Sequence, residues 1–130
     1  MKVIMYHYVR KSIKNLPYFR YLDIENFKKQ LDYFEKEFGF VKFEDFLELK
    51  QNPKLITRLK DKILLSFDDA LIDHFYFVLP ELLRRKIFGL FFIPTSIYER
   101  KKPLDVHRVH YLIGKYGGGG VDKFSLKVYK

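Results

Sequence analysis

The segment Lys62-Ile63-Leu64-Leu65-Ser66-Phe67-Asp68-Asp69-Ala70 carries the strongest structural signal in the chain. From Lys62 to Phe67 it is almost continuously apolar, short, and bounded by charge. That pattern predicts a strand of a parallel sheet covered on both faces. Two carboxylates follow at once. In parallel α/β folds the C-terminal ends of the strands form the edge where ligands and catalytic groups collect. Adjacent carboxylates repel, so one ionises more readily than the other unless a cation lies between them. A metal ion removes the conflict by taking one carboxylate as ligand and leaving the other as a base. Taken alone, the dipeptide is better accounted for by a solvated pair capping the next helix.

Upstream, Lys2–Tyr6 reads as a first strand, and residues 11–21 as a polar loop containing proline. A helix follows. Asp23 can cap it, Phe27, Leu31, Phe34 and Phe38 recur at helical spacing, and Gly39 stops it. Phe40-Val41-Lys42 is short and extended. A small helix over Asp45–Lys50 ends at Asn52-Pro53. Downstream, a helical segment spans Asp73–Lys86, with Pro80 marking a kink or a restart. Phe88–Ile93 is a third buried strand, closed by Pro94-Thr95-Ser96. Leu104–Lys115 is a final helix with Val106, Val109, Leu112 and Ile113 as its apolar positions. The alternation of strand and helix predicts an α/β fold with a parallel sheet or barrel.

The 130 residues have room for one domain, and 48% hydrophobic content with 14 Phe and 10 Tyr suffices for a core. No cysteine is present, which excludes disulfides and thiolate metal sites and suits a reducing compartment. The opening Met1–Met5 is too short for a secretory core region, and no run approaches the length of a membrane helix. A cytoplasmic protein is the expectation. The formal charge of +9 is spread along the chain, with one short cluster at Arg84-Arg85-Lys86 where cations favour a helix end. No nucleic-acid-binding signature accompanies it, so a solvated basic exterior is expected and nucleic acid is not.

Several short motifs, in order, resemble the polysaccharide deacetylases of the NodB-like family, whose first motif is usually written Thr-Phe-Asp-Asp-Gly. Ser66-Phe67-Asp68-Asp69-Ala70 is similar to that motif. Met5-Tyr6-His7 is similar to the family's opening Tyr-His strand, and Phe27 with Gln30-Leu31 to its Phe-x-x-Gln-Leu helix. Val78-Leu79-Pro80 with Leu82-Leu83 resembles its Pro-x-Leu helix, and Gly89–Phe92 the next strand. The resemblance covers roughly residues 3–113. It implies the N-terminal part of a distorted, incomplete (β/α) barrel and a hydrolase that removes N-acetyl groups from amino sugars or polysaccharides. It further implies that Asp68 is the general base and Asp69 the first ligand of a divalent metal, zinc or another ion. Such a metal polarises the amide carbonyl and lowers the pKa of a water whose proton Asp68 takes. Ala70 stands where the family has glycine, and is strained if the position needs positive φ.

The family's metal site also takes two histidines from a His-Ser/Thr-x-x-His motif. His107 and His110 are three apart rather than four, yet on a helix either spacing puts both rings on one side. With Asp69 they give a His-His-Asp set with an open position, as catalytic zinc prefers. The alternative is that 104–114 matches the helix preceding the family's histidine motif, so that both are ordinary helix residues. His7, at the end of the first strand, is on the same edge as Asp68. His74 belongs to early helical turns. The family's tryptophan-bearing motif and general-acid histidine have no counterpart, and a full barrel needs more strand–helix units. The expectation is a shortened member: a deacetylase domain over 1–116, then a glycine-rich turn and tail over 117–130. Each glycine codon begins with two guanines, so the expectation is that Gly117–Gly120 reflects a guanine tract, where a slipped frame would leave Val121–Lys130 read out of frame. Such a chain is either a deacetylase by descent, active or inactivated by its truncation, or a non-catalytic fragment or pseudoenzyme that at most binds a carbohydrate or a protein. An incomplete barrel exposes strand edges and is expected to self-associate.

Overall fold

A computed structural model describes residues 1–118. The described residues divide into two compact units, one of residues 1–10 and 22–93, the other of residues 11–21 and 94–118. The proposed out-of-frame tail lies outside the described residues.

The first unit is built on β1 (Lys2–Tyr6), β4 (Ile63–Phe67) and β5 (Gly89–Phe91), hydrogen-bonded in the order β1-β4-β5 with every pairing parallel. All five residues of β4 are buried, as its unbroken apolar run requires of a central parallel strand. The register aligns Tyr6 with Phe67 and Phe67 with Phe91. Their rings form a stack across the sheet, with centroids 5.5 Å and 4.9 Å apart. Phe27 meets this ladder edge-on, 5.1 Å from the Tyr6 ring and 6.2 Å from the Phe67 ring. Both arrangements are ones that aromatic quadrupoles favour.

Phe27 belongs to α1 (Ile24–Glu37), which buries Ile24, Phe27 and Leu31 on one face. Asp23 caps it by accepting from the Glu25 N–H at 2.9 Å, and Gly39, at φ 68°, ends it. The next element is α2 (Phe43–Gln51), followed by a 3₁₀ turn that Pro53 opens. Beyond β4 the chain makes a π-turn, His74–Val78, and restarts as α3 (Leu79–Arg85) with Pro80 in its first turn. Two-residue strands β2 (Val9–Arg10) and β3 (Leu22–Asp23) pair in parallel beside them.

Among the described residues the sheets stay open, and no closed barrel forms. One face of the main sheet is covered by α1 and α3. On the other, Leu64 packs with Val41 and Leu59, but Val3 and Met5 of β1 are 57% and 59% exposed.

The second unit holds the loop 11–21, a short helix α4 (Ser96–Arg100) and α5 (Asp105–Tyr116). The Tyr18 N–H donates to the Gly114 carbonyl at 2.9 Å. Phe19 lies so close to Gly114 that a Cβ there would come within 2.6 Å of the ring. No helix among the described residues is long and apolar enough to cross a membrane.

Candidate active site

The end of β4 is held from both sides. The Asp68 N–H donates to the Tyr6 carbonyl at 3.0 Å, and the Phe92 N–H to the Phe67 carbonyl at 2.9 Å. The ladder thus carries Asp68 one residue past the strand proper. The chain then turns sharply, with Asp69 at φ 77° and Ala70 at φ 50°. Positive φ at two successive non-glycine residues is uncommon and costs conformational energy. The alanine in the glycine position of the motif therefore does sit in the left-handed region.

The turn separates the two carboxylates in environment. Asp68 Oδ1 is buried without a hydrogen-bond partner. Asp69 Oδ2 lies 3.5 Å from His7 Nε2, in a pair that is partly exposed. The residues brought together at the sheet edge are thus Asp68, Asp69 and His7.

Two further contacts fasten this corner. Arg10 meets Asp73 Oδ2 through both Nε and Nη2 at 2.5 Å, with Asp73 only 5% exposed. Burial pushes the Asp73 carboxyl above its usual range, against the opposing pull of Arg10. His74, also buried, makes a 2.7 Å hydrogen bond to the His7 carbonyl through Nε2. Since a carbonyl only accepts, Nε2 carries the hydrogen. Nδ1 is then a bare acceptor, buried and without a partner. Burial also lowers the pKa of this imidazole, favouring the neutral ring. His7, which faces Asp69, is thereby tied by its own backbone to the π-turn. Such single-turn π segments recur at functional sites.

A hollow of about 240 Å³ opens beside the turn, lined by Ala70, Leu71, His74, Phe75, Phe91 and Ile93 among others. His107 and His110 stand one turn apart on α5 in the second unit, both half-buried. Sequence reasoning missed the Arg10–Asp73 pair and the buried role of His74. Both join residues more than sixty positions apart, and no local pattern marks such a pair.

In kind, these donors suit a divalent cation: a carboxylate and an imidazole face each other, beside a second carboxylate with an unpartnered oxygen. In number they fall short. Among the described residues no three His, Cys, Asp or Glu side chains gather into a set able to hold a metal ion.

No protein-family model matches the chain, and no curated protein matches it. Among solved structures, the fold is similar to that of the Streptococcus pyogenes deacetylase PplD in complex with acetate. The TM-score is 0.57 at 22% identity, over 78% of this chain and 46% of that one. The chain thus spans less than half the length of that structure. What the likeness establishes is a mixed α/β fold with a parallel sheet, similar to part of a deacetylase fold.

Proposed function

We infer that this chain is a deacetylase-type hydrolase acting on N-acetylated amino sugars or their polymers. The observation that carries the reading is the split carboxylate pair at the end of the buried central strand, in a fold similar to a deacetylase. In this reading Asp68 is the general base. Its buried, unpartnered Oδ1 is an acceptor held ready for a proton. Asp69 is a metal ligand, and His7 stands beside it as a further donor. A divalent metal, zinc in the first instance, would supply Lewis-acid polarisation of the amide carbonyl. His107 and His110, on α5 of the second unit, are assigned a ligand role by the sequence resemblance alone. The deacetylase domain is assigned to residues 1–116.

A second reading, a non-catalytic module that binds a carbohydrate or a protein, is favoured by the missing three-donor set among the described residues. One experiment separates the two. The full chain is loaded with zinc, cobalt or manganese, its metal content is measured, and acetate release from N-acetylglucosamine oligomers is followed. The expected result is metal-dependent release that falls by about 10²-fold or more in Asp68→Asn. Bound metal is expected to be lost in Asp69→Ala. The absence of both turnover and bound metal in the unmodified chain would overturn the enzymatic reading in favour of the binding module.

A further inference from the structure

The charge of +9 is not shared evenly between the two units. The first unit holds fourteen Lys and Arg against thirteen Asp and Glu, close to neutral. Among the described residues of the second unit, eight cations face two acids. Lys11, Lys14 and Arg20 stand on the loop, all exposed. Arg100, Lys101, Lys102, Arg108 and Lys115 stand on and between α4 and α5, and they are exposed too. Of the two acids, Asp105 is engaged with Arg108 at 3.3 Å. The same unit carries four tyrosines with large exposed surfaces, Tyr18 at 60%, Tyr98 at 65%, Tyr111 at 51% and Tyr116 at 48%, with Lys115 over the Tyr116 ring at 5.2 Å.

A fold does not need this arrangement. Self-repulsion among like charges destabilises a small unit, and rings left half-exposed or more forgo much of the burial they could contribute. Both features suit a long anionic ligand. Clustered cations raise the local concentration of a polyanion and release its counterions on binding. Amphipathic tyrosine rings offer flat apolar faces with a polar tip, against which a sugar ring can lie.

We propose that the second unit is a binding surface for an anionic glycan, a polymer whose sugars carry carboxylate or phosphate groups. The proposal rests on the deacetylase reading for its choice of a glycan over other polyanions. That surface holds the polymer and so raises the concentration of acetylated residues available to the first unit. The affinity comes from charge and ring contact, without a carboxylate-specific pocket. Carboxylate and phosphate polymers are therefore both ligands.

The test uses the full chain and fluorescence anisotropy with four labelled probes: an oligouronate, a glycerol-phosphate-linked glycan, a neutral N-acetylglucosamine oligomer and a single-stranded RNA. The expected result is that both anionic glycans bind at least about tenfold more tightly than the neutral oligomer near 50 mM salt. Their affinity should fall about tenfold by roughly 200 mM salt. The double substitution Lys101→Glu and Lys102→Glu, on an exposed segment, should weaken both about tenfold while circular dichroism stays unchanged. Equal binding of the neutral oligomer, or indifference to the charge reversal, overturns the proposal. RNA binding about tenfold tighter than either glycan also overturns it and reassigns the surface to nucleic acid. Acetate release from the neutral oligomer is scored separately. Its absence beside intact anionic-glycan binding sinks the hydrolase and leaves the surface standing.

Discussion

Ala70 follows two carboxylates at the tip of β4 and holds φ at 50°, where a Cβ crowds the backbone. Replacing it with glycine removes that strain but also gives the unfolded chain more freedom. Because the native angle is one alanine resists, the strain term wins. Ala70→Gly should raise stability by about 0.5–1 kcal/mol, read as a higher urea midpoint at unchanged slope. An unchanged or lower midpoint would show that the turn accommodates alanine without strain. Asp69, at φ 77°, shares the conformation, but its short polar side chain tolerates it better. The sequence exposed this residue only through its departure from a glycine-bearing motif. The orphaned oxygen on Asp68 was not readable at all, because burial of a single atom depends on packing from β1 and β5.

The elements divide into those with a long enough pattern to read and those without. β1, α1, β4 and α5 were legible because each repeats its period over five residues or more. β2 and β3 hold two residues each, too few to show an alternation, and α4 has five. The restart at Pro80 was legible, whereas the π-turn before it was not, since no residue type demands one extra residue per turn. α3 shows how charge links elements. Glu81 is 7% exposed and receives Arg84 Nη2 at 2.6 Å and Arg85 Nε at 2.6 Å. Arg85 reaches on to Asp32 of α1 at 2.5 Å. The hydrogen bond from Arg84 first, and that from Arg85 after it, hold the Glu81 carboxyl down at about 2. A depressed carboxylate pKa contributes stability that is present above the unfolded value and lost as pH falls through the folded one. Glu81→Gln should therefore cost about 1–3 kcal/mol at neutral pH, and the gap to the parent should close as pH falls from about 4.5 to about 2. A gap independent of pH would mean that shape, not charge, makes the contact.

At the scale of the molecule, the open sheet has a chemical cost. Among the described residues β1 is an edge strand, and Val3 and Met5 present apolar surface on the face that α1 and α3 do not cover. An exposed, apolar edge is a template for pairing with another chain. Sedimentation velocity over rising protein concentration should show reversible self-association, and Val3→Lys with Met5→Lys should shift the chain towards monomer. A single species at every concentration would refute this. The strand order carries one more consequence. Lys2 pairs with Ile63, so the first strand has no partner until about sixty further residues have been made. At about 5–20 residues per second on the ribosome, the newly made first strand waits several seconds before its sheet can close. During that interval its apolar residues are open to whatever chaperone or neighbouring nascent chain reaches them first.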